Sequence, residues 1–218
     1  MPATAANITK PLDPIPSEVE RLAPRPYQPM AIVEAKPSWA SDFELVAQQL
    51  RTALDNRMLA IEHVGSTSVP GLAAKDVLDV DLIVADPGAD EAWYAGALEA
   101  AGFVFVLREP AWYEHRFFCR APLPSPSPSP SPSPSPPLPS VNLHVFGPDC
   151  PEHVRHCLFR DHLRAHAEDR ERYQAVKREA MRATSEGGET MGAYTARKDA
   201  IVREILDRTF RENGLLSP

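Results

Sequence analysis

Cysteine is scarce in this chain: three in 218 residues, at Cys119, Cys150 and Cys157. So sparse and odd a set excludes a disulfide framework and reads as reduced thiols of a cytoplasmic protein. Long apolar runs are also missing. No stretch approaches the roughly 20 residues of a membrane span, so no membrane attachment is expected. The opening stretch, MPATAANITKPLDPIPSEVERLAPRP, has none of the apolar core of a secretory signal. Positive charge is not in excess either: the formal net charge is −7, which argues against nucleic acid as a partner. What remains, 43% hydrophobic and 24% charged residues, is ordinary for a globular protein. The length suits one substantial core rather than two.

Proline, by contrast, is plentiful at 24 residues, and many of them fall in one run, LPSPSPSPSPSPSPPLPS, residues 123–140. Proline at alternate positions forbids both helix and ladder pairing, so this segment is expected to be extended polyproline II or disordered. It reads as an expanded loop tip inside one domain, because neither flank holds a complete sheet and longer loops add little closure entropy. The alternative is a docking site for a proline-recognition partner, or a phosphorylation target.

Residues 1–28 show no clean period and are expected to be a mobile tail. The domain then spans 29–213. AIVEA (31–35) suggests a short strand. Phe43, Val46, Ala47, Leu50 and Leu54 recur at helical spacing, predicting a helix over 40–56, with Ser41 and Glu44 as a capping box. MLAIEHV (58–64), VLDVDLIVA (77–85), FVFVL (103–107), EHRFFCR (114–120) and VNLHVFG (141–147) read as strands of one sheet, the last two as an antiparallel pair. A helix is expected over 89–101, and further helices near 151–166, 168–183 and 190–212. The fold class is α/β (α+β): a mixed sheet flanked by helices, with a helical C-terminal segment.

The chemistry concentrates in HVGSTSVPGLAAKDVLDVD, residues 63–81. A strand ending in Gly65-Ser66 lets backbone N–H groups and a hydroxyl approach phosphate oxygens closely, since glycine has no Cβ in the way. Asp79 and Asp81 share one face of the next strand, about 7 Å apart. Two carboxylates there can converge on hard cations, and magnesium so held leaves positions for substrate phosphates.

A strand, Gly-Ser, twelve intervening residues and Asp-x-Asp on a following strand resemble the signature of the nucleotidyltransferase fold shared with polymerase beta. HVGSTSVPGLAAKDVLDVDLIV resembles the hallmark of the GrpB family, which has that fold. NLHVF (142–146), FRDHLR (159–164), Tyr173 to Lys177 and Tyr194 to Lys198 stand in the family's order. The resemblance covers about residues 30–212. It implies a nucleotidyltransferase-like protein that binds a nucleoside triphosphate and transfers its monophosphate to a small acceptor. Asp79 and Asp81 would be metal ligands and, with Ser66, the catalytic residues; Gly65, Ser66, Lys75 and Lys177 would be phosphate ligands, with Lys75 or Arg160 neutralising the triphosphate charge. A similar domain is fused to dephospho-coenzyme A kinase in some bacteria, so a non-catalytic nucleotide- or coenzyme-binding module is the alternative.

One departure bears on the metal. The strand expected to bring a third acid offers Asn142 and His144 instead. Magnesium or manganese is the expected cofactor, with another divalent ion open if His144 ligates it and His63 adds a second imidazole. Arg116, Arg160 and Arg164 are candidates for an anion cleft, and Trp112 and Tyr113 for stacking on a base. Each has a plainer reading: aspartates paired with arginines, histidines satisfied within the sheet, arginines on a salt-bridged helix face. Cys150, His153 and Cys157 share a helical face, and His162 and His166 lie one turn apart. That spacing is wider than the tight pairs of structural zinc sites.

Overall fold

The computed structural model describes residues 3–10, 18–26, 31–122 and 140–217. The Pro-Ser run at 123–139 lies outside the described residues. Helix α1 covers Ala5–Ile8 and strand β1 Glu20–Arg21. Next come α2 (Ser38–Ala53), β2 (Ala60–Val64), β3 (Val77–Ile83), α3 (Glu91–Ala100), β4 (Val104–Glu109), β5 (His115–Arg120) and β6 (Ser140–Phe146). Helices α4 (Pro151–Ala165), α5 (Ala167–Glu186) and α6 (Met191–Glu212) complete the order. The five expected strands all join one six-stranded sheet, β1-β4-β5-β6-β3-β2. Only β3 and β6 run parallel; the other pairs are antiparallel, and β5 and β6 are neighbours as expected.

The alternation along β3 divides the molecule. Leu78, Val80, Leu82 and Val84, with Val141, Leu143 and Val145 of β6, enter a core with Trp39, Val46 and Leu50 of α2 and Tyr94 and Leu98 of α3. Asp79, Asp81, Asn142 and His144 take the opposite face, in register as Asp79 beside Asn142 and Asp81 beside His144. Helix α4 lies over that face, and α5 and α6 pack with it. Strands covered on both faces read as nearly unbroken apolar runs, so the two aspartates stood out.

Three expectations need correction. Helix α2 begins at Ser38, one turn before the expected box, and the Ser41 hydroxyl donates to the Ser38 carbonyl instead of capping. AIVEA supplies only an isolated bridge, Val33 to Ala74. Within the expected tail, Ile8 is buried against Leu206 and Phe210. Arg155 donates to the carbonyls of Asn7 and Ile8 at 3.0 Å, and β1 pairs with β4 at the sheet edge.

Candidate functional site: a lysine-rich cleft at the end of the sheet

The chain leaves β2 at Val64 and turns at Gly65, whose φ of +67° suits glycine. A Cβ there would overlap Asp79 Oδ2 and stand 2.8 Å from Asp79 Cβ, so the glycine lets backbone and carboxylate lie side by side. Ser66–Ser68 form a short 3-10 turn. The Ser68 hydroxyl closes it on the Gly65 carbonyl at 2.6 Å, and Arg164 donates to the Ser68 carbonyl at 2.8 and 3.1 Å. Val69 and Leu72 anchor the loop among Leu163, Tyr173, Ile201 and Ile205. The Ser66 hydroxyl is thereby held against the helical half.

Between loop and helices opens a cleft of about 300 Å³. Gly65, Ser66, Lys75, Asp79 and Lys177, all expected site residues, line it together, as does His144. Arg25 and Lys198 join them, so among the described residues four cations share the lining with one carboxylate, Asp79. Lys177 is 1% exposed and donates to Ser66 Oγ at 3.0 Å and to the Ala73 carbonyl at 2.6 Å. Burial pulls its ammonium down to about 7, with Lys198 adding to the effect and Asp79 opposing it. Burial lowers Lys75 and Lys198 as well, again against Asp79. Asp79 accepts a 2.7 Å bond from Asn142 Nδ2, and Arg25 donates to Asn142 Oδ1 at 2.9 Å.

Asp81 belongs to a different cluster. It is 0% exposed. His153 Nδ1 approaches it at 2.9 Å and His156 Nδ1 at 3.0 and 3.1 Å, both from α4. Although burial opposes it, the His156 charge and the two imidazole hydrogen bonds hold the carboxyl well below its usual range. In return, and again against burial, Asp81 raises His153 to about 10 and His156 to about 9. His144 stacks on His115 and shares a 3.0 Å ring hydrogen bond with it, and His115 meets Glu109 at 2.6 Å. Burial keeps His144 well below its ordinary value, as suits a neutral ring in such a chain.

The remaining expected residues lie elsewhere. His63 sits opposite Val80 in the β2–β3 register, on the core side of the sheet. There it stacks on Phe43 and pairs with Thr67 at 3.0 Å, and burial, Arg164 and Arg160 lower it to about 4. It cannot join Asp79 and Asp81, whose side chains leave the other face. Arg116 pairs with Glu91 at 2.7 Å. Arg160 binds Glu62 and Asp161 at 2.8 Å, and Arg164 is spent on the loop carbonyl. Trp112 and Tyr113 line a separate cavity of about 480 Å³. The three cysteines are free.

Sequence reasoning missed Arg25, which lay in the expected tail and carried no local signal. Lys198 did carry one. Tyr173-x3-Lys177 on α5 is repeated as Tyr194-x3-Lys198 on α6. Each ammonium lies over its own tyrosine ring, at 4.8 and 4.3 Å, and both pairs face the cleft.

The model of a family described as GrpB protein matches residues 29–208. A UPF0157 protein of Halalkalibacterium halodurans is 38% identical over 179 residues, with 82% of each chain covered. A dephospho-CoA kinase of Mycolicibacterium paratuberculosis is 29% identical over 194 residues, which is 84% of this chain and 46% of that one. Among solved structures, the conserved protein GrpB from Enterococcus faecalis superposes with a TM-score of 0.66 at 24% identity, covering 84% of this chain and 99% of that one. That likeness concerns the fold.

Proposed function

The chain belongs to the GrpB family, and we propose that its cleft binds the phosphate groups of a nucleotide or a nucleotide-containing coenzyme. The observation that carries this reading is Lys177. A lysine 1% exposed, its charge opposed by burial and by two neighbouring lysines, is costly in an empty cleft and favourable beside an anion. Lys75 and Lys198 converge with it, and the Gly65-Ser66 turn adds a hydroxyl and a close backbone. Tyr173 and Tyr194 give the cleft ring surface behind the lysines. One relative is named a dephospho-CoA kinase, which makes ATP and dephospho-coenzyme A the first ligands to try.

Nucleotidyl transfer is the second reading, favoured by Asp79, which opens on the same cleft as Gly65 and Ser66. The carboxylates do not fit a two-magnesium centre. Both oxygens of Asp81 are engaged by imidazoles and the carboxylate itself is closed to solvent, and Asp79 is the one acid among the described residues that line the cleft. A magnesium or manganese ion would therefore rest on Asp79 and on the ligand's own phosphates, and would neutralise their charge.

The test is calorimetric titration of the full chain with ATP, dephospho-coenzyme A and inorganic triphosphate, each with and without magnesium or manganese. The parent should bind at least one of them, and Lys177→Met and Lys198→Met should each weaken binding about tenfold, the loss of one charge-assisted contact. No binding by the parent, or parent-like affinity in both variants, rejects the cleft. Release of diphosphate from ATP, lost in Asp79→Asn, would move the assignment to transfer; binding without release keeps it a module.

A further inference from the structure

At the far end of the helical half, three metal-ligating side chains converge outside the cleft. His162 and His166 stack one turn apart, with ring centroids 4.0 Å apart. Glu212, the last residue of α6, reaches across to both. Its Oε2 lies 3.1 Å from His162 Nδ1 and 3.2 Å from His166 Nε2. One ligand atom from each of the three lies within 4.8 Å of the other two. Zinc bonds of about 2.0–2.1 Å in tetrahedral geometry place ligand atoms roughly 3.3 Å apart, close to the 3.1 and 3.2 Å that already separate Glu212 from the two imidazoles.

The surroundings of His162 make this more than a surface coincidence. Its side chain is 2% exposed, and its Nε2 meets buried Asp169 at 2.8 Å. Asp169 is held in place by Arg172 and Arg208. With Nε2 held by Asp169, the ring presents its other nitrogen, Nδ1, to Glu212. A carboxylate that orients the distal nitrogen is the usual support of a metal-bound histidine. Two imidazoles and one carboxylate favour a first-row transition ion over magnesium or calcium.

We propose that His162, His166 and Glu212 form a zinc site, oriented by Asp169, with its fourth position open to solvent. Its place in the fold suggests what it does. His166 is the joint between α4 and α5, and Glu212 ends α6. The ion clasps the end of α6 to the elbow of the two preceding helices. Those helices carry Lys177 and Lys198, yet the site stands independently of any ligand in the cleft.

The test uses the untagged full chain, stripped with a chelator and titrated with zinc, with cobalt(II) as a spectroscopic substitute. His162 is buried, so the variants are His166→Gln and Glu212→Gln, whose parent side chains are 43% and 46% exposed. The parent should bind one zinc per chain and gain melting temperature on doing so. Each variant should bind at least tenfold more weakly and gain nothing. Cobalt should give the visible bands of a four-coordinate nitrogen and oxygen site. Absence of saturable zinc binding in the parent overturns the proposal. Parent-like binding in both variants, or a thiolate charge-transfer band, which would place the ion near Cys157 and His153, overturns it equally.

Discussion

Asp79 and Asp81 leave the same face of one strand and end in opposite circumstances. Asp79 meets Asn142 and opens on three lysines, whereas Asp81 is sealed under α4 by two imidazoles. Period-two geometry made their shared face legible in the sequence. The partners of Asp81 were not legible, because His153 and His156 lie 72 and 75 residues away. Only their i, i+3 spacing on one helix hinted at a common target. Two different outcomes follow for the same substitution. Asp81→Asn leaves two imidazoles, 18% and 28% exposed, without their counter-charge and should cost about 3 kcal/mol, the lower end for a broken buried pair, since the partly exposed rings can shed their protons. Asp79→Asn keeps a side chain able to bond Asn142 and should cost about 1 kcal/mol or less. Urea denaturation of both variants measures this, and equal stability would refute the division of roles. The Asp81 contribution has an acid edge: its carboxyl is held below the usual range, so that stability is present above about pH 4 and is lost as pH falls further.

Among the elements, the sheet was the most readable part. The buried strands carry apolar residues at nearly every position and are bounded by turn residues. The helix starts were less so, as α2 shows, because a Pro-Ser-Trp start at 37–39 competed with a better-looking box downstream. The Pro-Ser run is an element-scale question with a definite answer. Its flanks, β5 and β6, are antiparallel neighbours with Arg120 opposite Val141, so the two ends of the insert leave the sheet side by side. Deleting 124–137 leaves enough chain to cross between paired strands. Loop-closure entropy changes only slowly with length, so stability should shift by less than about 2 kcal/mol. A thermal melt of the deletion variant checks this, and a larger loss would show that the run packs on the domain.

At the scale of the whole molecule, the cleft exists because two parts of the chain meet there. The sheet end supplies Gly65, Ser66 and Asp79, and α5 and α6 supply Lys177 and Lys198. Arg25 arrives from the N-terminal segment, where composition alone suggested no structure. Sequence reasoning found the sheet-end residues, whose spacing is local, and could not find that arrival, which depends on β1 pairing at the far edge of the sheet. The charge balance of the assembled cleft gives a pH dependence whose sign can be worked out. Lys177 titrates near 7 in the folded protein, against about 10.4 in an unfolded chain. Between these values the unfolded state binds more protons, so this group makes the ligand-free protein more stable as pH rises from about 7 to 10. A bound polyphosphate favours the charged ammonium and raises its pKa, so binding takes up a proton in that window. Affinity for inorganic triphosphate should therefore be greatest near pH 7 and fall as pH rises, approaching tenfold per unit where one proton is taken up. Titrations between pH 7.5 and 9.5 at fixed ionic strength, run in buffers of different ionisation enthalpy, measure both the slope and the proton. Lys177→Met should flatten the slope, leaving the smaller contributions of Lys75 and Lys198. An affinity that does not change with pH in the parent would mean that the buried lysine does not meet the phosphate, whatever else the cleft holds.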